Sequence, residues 1–94
     1  MSMATDMELF SQVEGAVREV LNTKEGDIKA ESYFRADLGA ESIDLLDISF
    51  ELEKRTGKEL DFREVVQFVN EKRGTEISDL SVQDIVEYLK AASN

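Results

Sequence analysis

The sequence predicts an all-α fold, a four-helix bundle with a long loop between helices 1 and 2. Four segments repeat apolar residues at intervals of three and four, which is the period of a helix with one buried face. No segment alternates apolar and polar residues for long enough to be a strand, and the chain contains no proline. At 94 residues there is room for one core, so residues 1–94 are expected to form a single domain.

The first helix is expected to begin at Thr5, because Thr5 and Glu8 have the spacing of a capping box. It should end near Asn22 or Thr23. Gly15 costs this helix about 1 kcal/mol relative to alanine unless a neighbour packs closely against it. The apolar residues on one face of the helix are Phe10, Val13, Val17, Val20 and Leu21.

The segment from Lys24 to Glu41 shows neither helical nor strand periodicity. Irregular segments of this length are uncommon in compact domains unless they are pinned or functional. Gly39 is expected to form an unusual turn ahead of the next helix. The side chains expected to anchor this loop in the core are Ile28, Tyr33, Phe34 and Leu38.

Three further helices follow the loop. The second is expected to run from Ser42 to about Arg55 and to stop at Gly57. Asp61 and Glu64 resemble a second capping arrangement, at the start of a third helix that ends before Gly74. Ser81 opens the fourth helix. The apolar faces of helices 3 and 4 are Phe62, Val65, Val66 and Val69, and Val82, Ile85, Val86 and Leu89.

The net charge limits the kinds of molecule that the protein is expected to bind. With 21 acids against 11 bases the formal charge is −10, so nucleic acid and anionic lipid surfaces should repel the protein and basic proteins should attract it. There is no cysteine for a disulfide or a thiolate metal site. No apolar run is long enough to span a membrane, and the N-terminus does not resemble a signal peptide. We therefore expect a cytoplasmic protein without stable membrane insertion. A monomer is expected, but these residues leave the oligomeric state open.

The residues argue against a calcium site, a serine nucleophile and general acid–base catalysis. No glycine places acidic ligands at the positions of an EF-hand loop, so no metal site is expected. Ser42 lacks the flanking glycines of a nucleophile elbow, and the chain has no histidine to act as its base. Acid pairs such as Glu41 and Asp44 are more typical of a solvated helix face than of general acid–base catalysis. We expect no catalytic residues and no enzyme activity.

Ser42 has two possible roles at this point. It is a favoured residue for an N-cap. A hydroxyl at a helix N-terminus would also tolerate an attached phosphate, although the neighbouring Glu41 and Asp44 oppose an anion there. Unlike Thr5 and Asp61, Ser42 has no acid three residues later to complete a capping box.

The second helix has two apolar stripes where a small bundle needs one. The second stripe lies roughly on the opposite flank from the first. The first, which is weakly polar, is Leu45, Ile48, Ser49 and Leu52, and the second is Ile43, Leu46 and Phe50. The second stripe is either more core or a surface for a partner, and periodicity does not decide between them. An apolar strip edged by acids would complement a basic, partly apolar docking site.

The stretch DLGAESIDLLDI, residues 37–48, resembles the signature of the acyl carrier protein family, in which the serine bears phosphopantetheine. The likeness extends backward to the loop anchors Ile28, Phe34, Leu38 and Gly39, and forward through the acidic second helix to ISDLSVQDIVEYL. The resemblance implies that Ser42 receives phosphopantetheine from coenzyme A through a phosphopantetheinyl transferase. Acyl groups would then travel as thioesters between the separate enzymes of fatty acid, lipid or polyketide synthesis.

The resemblance also implies roles for the rest of helix 2. Leu45, Ile48 and Leu52 would shelter an acyl chain, and acyl-loading and acyl-transferring enzymes would dock through basic patches. The residues that would meet these partners are Glu41, Ile43, Asp44, Leu46, Asp47, Phe50 and Glu53.

The chain departs from the family pattern at several positions. Glu41 stands where the family has Asp, and Ile43 where it has Leu. Lys54 and Arg55 stand where acids are common, which puts the standard partner set in doubt. The segment from Lys58 to Ser78 is longer than the family's third-helix region, so helix 3 could widen or lid the acyl site of a specialised carrier. The rival hypothesis is a helical adaptor that binds a protein through helix 2, with Ser42 only an N-cap.

Overall fold

The computed structural model describes residues 6–23 and 26–92. It contains four helices: α1 (Asp6–Leu21), α2 (Ser42–Thr56), α3 (Phe62–Arg73) and α4 (Val82–Ala92). Within the described residues there is no strand, only an isolated antiparallel bridge between Tyr33 and Ser81. The all-α prediction with a long first connection is confirmed. The predicted cap at Thr5 lies outside the described residues, and none of the described helices is long and apolar enough to cross a membrane.

The four amphipathic faces meet in one core. Helix α1 packs against α2 and α4, and α3 packs against α4 and α2. The predicted faces are buried, except that Phe10, Val20 and Leu21 of α1 and Phe62 and Val66 of α3 are only partly covered. Side chains with essentially no exposed surface are Val13, Val17, Phe34, Ile48, Leu52, Val65, Val82, Ile85, Val86 and Leu89.

The long loop is fixed by hydrogen bonds to the segment that precedes α4. The backbone N–H of Phe34 donates to the carbonyl of Leu80, and the N–H of Val82 donates to the carbonyl of Ser32, both at 2.9 Å. Ile28 and Phe34 are buried anchors, as predicted. The prediction for Tyr33 is wrong: its ring is exposed, because the neighbouring Phe34 takes the inward position at the start of the turn.

A carboxylate also holds this loop. Asp79 accepts hydrogen bonds from the backbone N–H groups of Arg35, at 3.1 Å, and Ala36, at 2.9 Å. Side-chain acceptors of this kind satisfy backbone donors that a loop would otherwise leave to water. The chain leading to Ser42 is therefore tied to the segment between α3 and α4.

The predicted helix ends are confirmed at three glycine or cap positions. Gly57 and Gly74 are left-handed C-caps, with φ of 73° and 72°, a conformation that glycine adopts without strain. Asp61 is the N-cap of α3 and accepts from the N–H of Arg63 at 2.8 Å. Glu64 does not complete that box, and its Oε2 accepts from the Tyr88 hydroxyl.

Gly15 is a point of close approach between α1 and α2. A Cβ at this position would lie 2.7 Å from Nη1 of Arg55, whose guanidinium also bonds Glu51. The neighbour whose close packing could offset the helix-propensity cost of Gly15 is thus the flexible side chain of Arg55.

Candidate functional site

Ser42 is the first residue of α2, and its side chain is exposed. The N-cap is Glu41, so the reading of Ser42 as the N-cap is wrong. The backbone N–H of Glu41 donates to Oδ2 of Asp44 at 2.9 Å, which places the capping box one residue earlier than the serine. Among the described residues, none accepts from or donates to the Ser42 hydroxyl.

The turn before Ser42 is rigidly held. Gly39 has φ of 67°, as the expectation of an unusual turn requires. The N–H of Ala40 donates to the carbonyl of Phe34 at 2.8 Å, and Ala40 is buried. Because Phe34 is itself in the core, the start of α2 is fixed relative to the bundle while Ser42 projects from it.

An open groove begins beside Ser42 and runs between α2 and the start of α3. Its volume is about 540 Å³. Its walls are mostly apolar, with one charged pair at the edge. The lining residues are Ser42, Leu45, Leu46, Ser49, Phe50, Leu60, Asp61, Phe62 and Arg63.

A smaller pocket of about 200 Å³ lies beyond the groove. It is bordered by the loop anchor Phe34, by Val66 of α3 and by Ile77 and Leu80 ahead of α4. Three residues border both spaces and so lie between them: Leu45, Phe62 and Arg63.

The charged pair at the groove is Asp61 and Arg63. Nη2 of Arg63 lies 3.1 Å from Oδ2 of Asp61, at a position where the arginine side chain is almost fully exposed. The hydrogen bond from Arg63 lowers the pKa of Asp61, and the same bond raises the pKa of Arg63. This edge of the groove therefore keeps both charges at neutral pH.

The residues expected to shelter an acyl chain occupy two kinds of position. Leu45 is half-buried and borders both spaces. Ile48 and Leu52 have no exposed surface and border neither. A role for Ile48 and Leu52 would require the core to part, and it stays a prediction.

The second stripe of α2 lies on the surface. Ile43, Leu46 and Phe50 are 60%, 49% and 57% exposed, respectively, in a protein whose other apolar helix residues largely face inward. We call these three residues the apolar strip. The stripe is therefore exposed and not part of the core, and its use as a surface for a partner stays a prediction.

Acids flank the apolar strip. Glu41, Asp47 and Glu53 are exposed, and within the described residues none of them forms an ion pair. Asp44 is half-buried because it caps the helix. Lys54 lies 3.6 Å from Glu51, and with Arg55 it makes the end of α2 less acidic than its start.

Sequence reasoning missed the α3 side of the groove. Leu60 and Arg63 line it, and Phe62 was expected only in the core face of helix 3. No local signal in the sequence shows which part of α2 the start of α3 approaches. Within residues 6–23 and 26–92, no group of three acidic, histidine or cysteine side chains is placed to hold a metal ion.

Comparisons with known proteins point to the same part of the chain. Residues 11–71 match the family model described as phosphopantetheine attachment site. An acyl carrier protein of Thermotoga maritima is 33% identical over 88 residues, 94% of this chain and 95% of the relative. One of Trieres chinensis is 31% identical over 86 residues, 92% and 94% of the two chains. One of Helicobacter pylori strain G27 is 29% identical over 84 residues, 89% and 94% of the two chains.

Proposed function

Because this chain belongs to the phosphopantetheine attachment site family of acyl carrier proteins, we propose that Ser42 bears phosphopantetheine and that the protein carries acyl groups. The acyl groups travel as thioesters between separate enzymes of fatty acid, lipid or polyketide synthesis. In this role the chain is a substrate of other enzymes and not itself a catalyst.

The observation that carries the proposal is the free position of Ser42. Its side chain is exposed at the start of α2, and Glu41 and Asp44 already make the helix cap. A hydroxyl without a structural task can be modified without a cost to the fold. Ser42 also lies within the matched residues 11–71 and beside a groove of about 540 Å³, so the site fits a long, flexible group.

The chemistry at Ser42 is the formation of a phosphodiester. The hydroxyl loses its proton to the transferase and bonds to phosphorus, and the nucleotide half of coenzyme A leaves. Once bound, the group supplies a terminal thiol for thioesters, which explains how a chain without cysteine can carry acyl groups. The N-terminus of α2 favours the attached phosphate, and the neighbouring Glu41 and Asp44 oppose it.

The groove and the core provide shelter for the carried chain. Leu45, Leu46 and Phe62 give the groove an apolar wall against which methylene groups leave water. Longer chains would require Ile48 and Leu52 to move apart. Helix α3 contributes to the groove through its first turn, which supports the idea that the lengthened segment after Lys58 shapes the acyl site.

The apolar strip and its acids form the docking surface in this proposal. Partners present a basic patch to Glu41, Asp44, Asp47 and Glu53, and an apolar patch to Ile43, Leu46 and Phe50. The phosphopantetheinyl transferase and the enzymes that load and transfer acyl groups are the partners of this kind. The protein works as a monomer in the cytoplasm.

Incubation with coenzyme A and a broad-specificity phosphopantetheinyl transferase tests the proposal. Intact-mass spectrometry should show one added phosphopantetheine on the wild type and none on Ser42→Ala. Ser78→Ala removes another exposed hydroxyl and should be modified like the wild type. An unmodified wild type would instead favour the helical adaptor that only binds proteins through α2.

A docking variant tests the second part of the proposal. Phe50→Ala removes an exposed ring and should leave the free energy of unfolding nearly unchanged. If the ring is a central contact, the dissociation constant for the transferase should rise by about tenfold or more. An affinity equal to that of the wild type would remove Phe50 from the docking surface.

A further inference from the structure

We propose that Phe62 sets the length of the acyl chain that this protein shelters, by separating the groove beside Ser42 from the smaller pocket behind it. The inference rests on the proposed carrier function and adds a residue that determines which chains are carried. It does not require Ile48 and Leu52 to move, because the pocket already exists in the folded bundle.

Phe62 is placed to act as a partition. It borders both spaces, as do Leu45 and Arg63. The Arg63 side chain runs out to solvent and pairs with Asp61, so it closes little of the interior. The ring of Phe62 is instead fixed edge-on against the buried Phe34, with centroids 5.8 Å apart and planes at 86°.

The pocket behind Phe62 has room for the end of a hydrocarbon chain. Val66, Ile77 and Leu80 give it apolar walls, and its polar lining residues are Arg35, Arg63, Ser78 and Asp79. At about 30 Å³ for each heavy atom, the share of a water molecule in the liquid, its volume of about 200 Å³ holds about six carbons. A chain that ends in the groove would therefore gain about six carbons of shelter if the ring were removed.

The variant that opens the partition is Phe62→Ala, and Phe68→Ala is its matched control. Phe68 lies on the same helix and makes the same kind of edge-on contact, with Tyr88 at 5.5 Å and 84°. It borders neither the groove nor the pocket. Its removal should cost packing of a similar kind without changing the space that a carried chain can enter.

The measurement uses protein loaded at Ser42 from a series of saturated acyl-coenzyme A donors by the transferase. Cleavage of each thioester by hydroxylamine is compared with that of the free acyl-pantetheine. For the wild type and Phe68→Ala, protection should rise with chain length, by at most about fourfold for each sheltered methylene, and then level off at the same length. For Phe62→Ala, protection should stop rising at a chain about six carbons longer than in the wild type.

Refilling the pocket should reverse the change. In the double variant Phe62→Ala, Val66→Phe, the new ring occupies the pocket and the levelling should return to the wild-type length. If Phe62→Ala does not fold, Phe62→Leu should move the levelling in the same direction by fewer carbons. If protection stops rising at the same chain length in the wild type and in the Phe62 variant that folds, with Ser42 loaded in both, the proposed role of Phe62 is overturned and the carrier proposal is not. Failure of the wild type to load overturns the carrier proposal itself.

Discussion

The hydrogen bonds of Asp79 should make this one side chain a major support of the loop that leads to Ser42. Its carboxylate accepts from the backbone N–H groups of Arg35 and Ala36, at 3.1 and 2.9 Å. Hydrogen bonds to charged groups contribute about 1.5–3 kcal/mol each when they are protected from water. Both of these are exposed, so we expect Asp79→Ala to lower the free energy of unfolding by only about 1.5 kcal/mol in total.

Thermal and urea unfolding give the magnitude. A loss of about 1.5 kcal/mol corresponds to a fall in Tm of roughly 6–12 °C for a domain of this size. Asp79→Asn keeps one acceptor oxygen and should lose about half as much. Amide hydrogen exchange should accelerate at both Arg35 and Ala36 in Asp79→Ala, because both N–H groups lose their acceptor, and at one of the two in Asp79→Asn.

The control for this experiment is Glu76→Ala. It removes one negative charge from the same segment, at an exposed side chain with no hydrogen bond to the other described residues. In a protein of charge −10, removal of an exposed acid that makes no such hydrogen bonds reduces self-repulsion and should stabilise slightly. If Asp79→Ala and Glu76→Ala had the same Tm, the loop would not depend on this carboxylate and the reasoning would be refuted.

Two further stability predictions rest on single contacts. Gly15→Ala should raise the free energy of unfolding by about 0.5–1 kcal/mol in urea titrations. The gain in helix propensity should exceed the loss of the interactions that the displaced, exposed Arg55 side chain makes. A lower free energy of unfolding would show that the guanidinium cannot move away from the new Cβ. Lys72→Gln should cost about 0.5 kcal/mol at pH 7. The hydrogen bond from Lys72 lowers the pKa of Glu87, so this stabilisation is fully present above the ordinary value of 4.5, declines below it and is lost as the pH falls through the lowered pKa. A difference that persists in acid would point to the contact of Lys72 with the Phe68 ring.

Local chemistry is enough to place most of the helix ends. Gly57 and Gly74 supply the left-handed residue that ends a helix, and Asp61 supplies an acceptor for the first free N–H groups of α3. These rules act over a few residues, so a sequence displays them directly. The first residue of α2, Ser42, was predicted correctly, but its N-cap was assigned one residue too late because serine is a favoured capping residue in general. Asp44 lies three residues after Glu41 and could have identified the box.

Long-range packing decides what periodicity leaves open. The spacing of Ile43, Leu46 and Phe50 defines a helix face, but only the positions of the other helices show that this face is exposed. The groove has the same origin, since it depends on how the start of α3 approaches α2 across the turn at Gly57. A sequence gives no measure of that approach.

The position of the attached group tests the central claim most directly. After modification, trypsin releases residues 36–54 as one peptide, which contains two serines, Ser42 and Ser49. Ser49 is buried and donates its hydroxyl hydrogen to the carbonyl of Leu46 at 2.6 Å. Fragmentation of this peptide should therefore place phosphopantetheine on Ser42 alone. Its location on Ser49 or on another peptide, or its absence from the protein, would contradict the account.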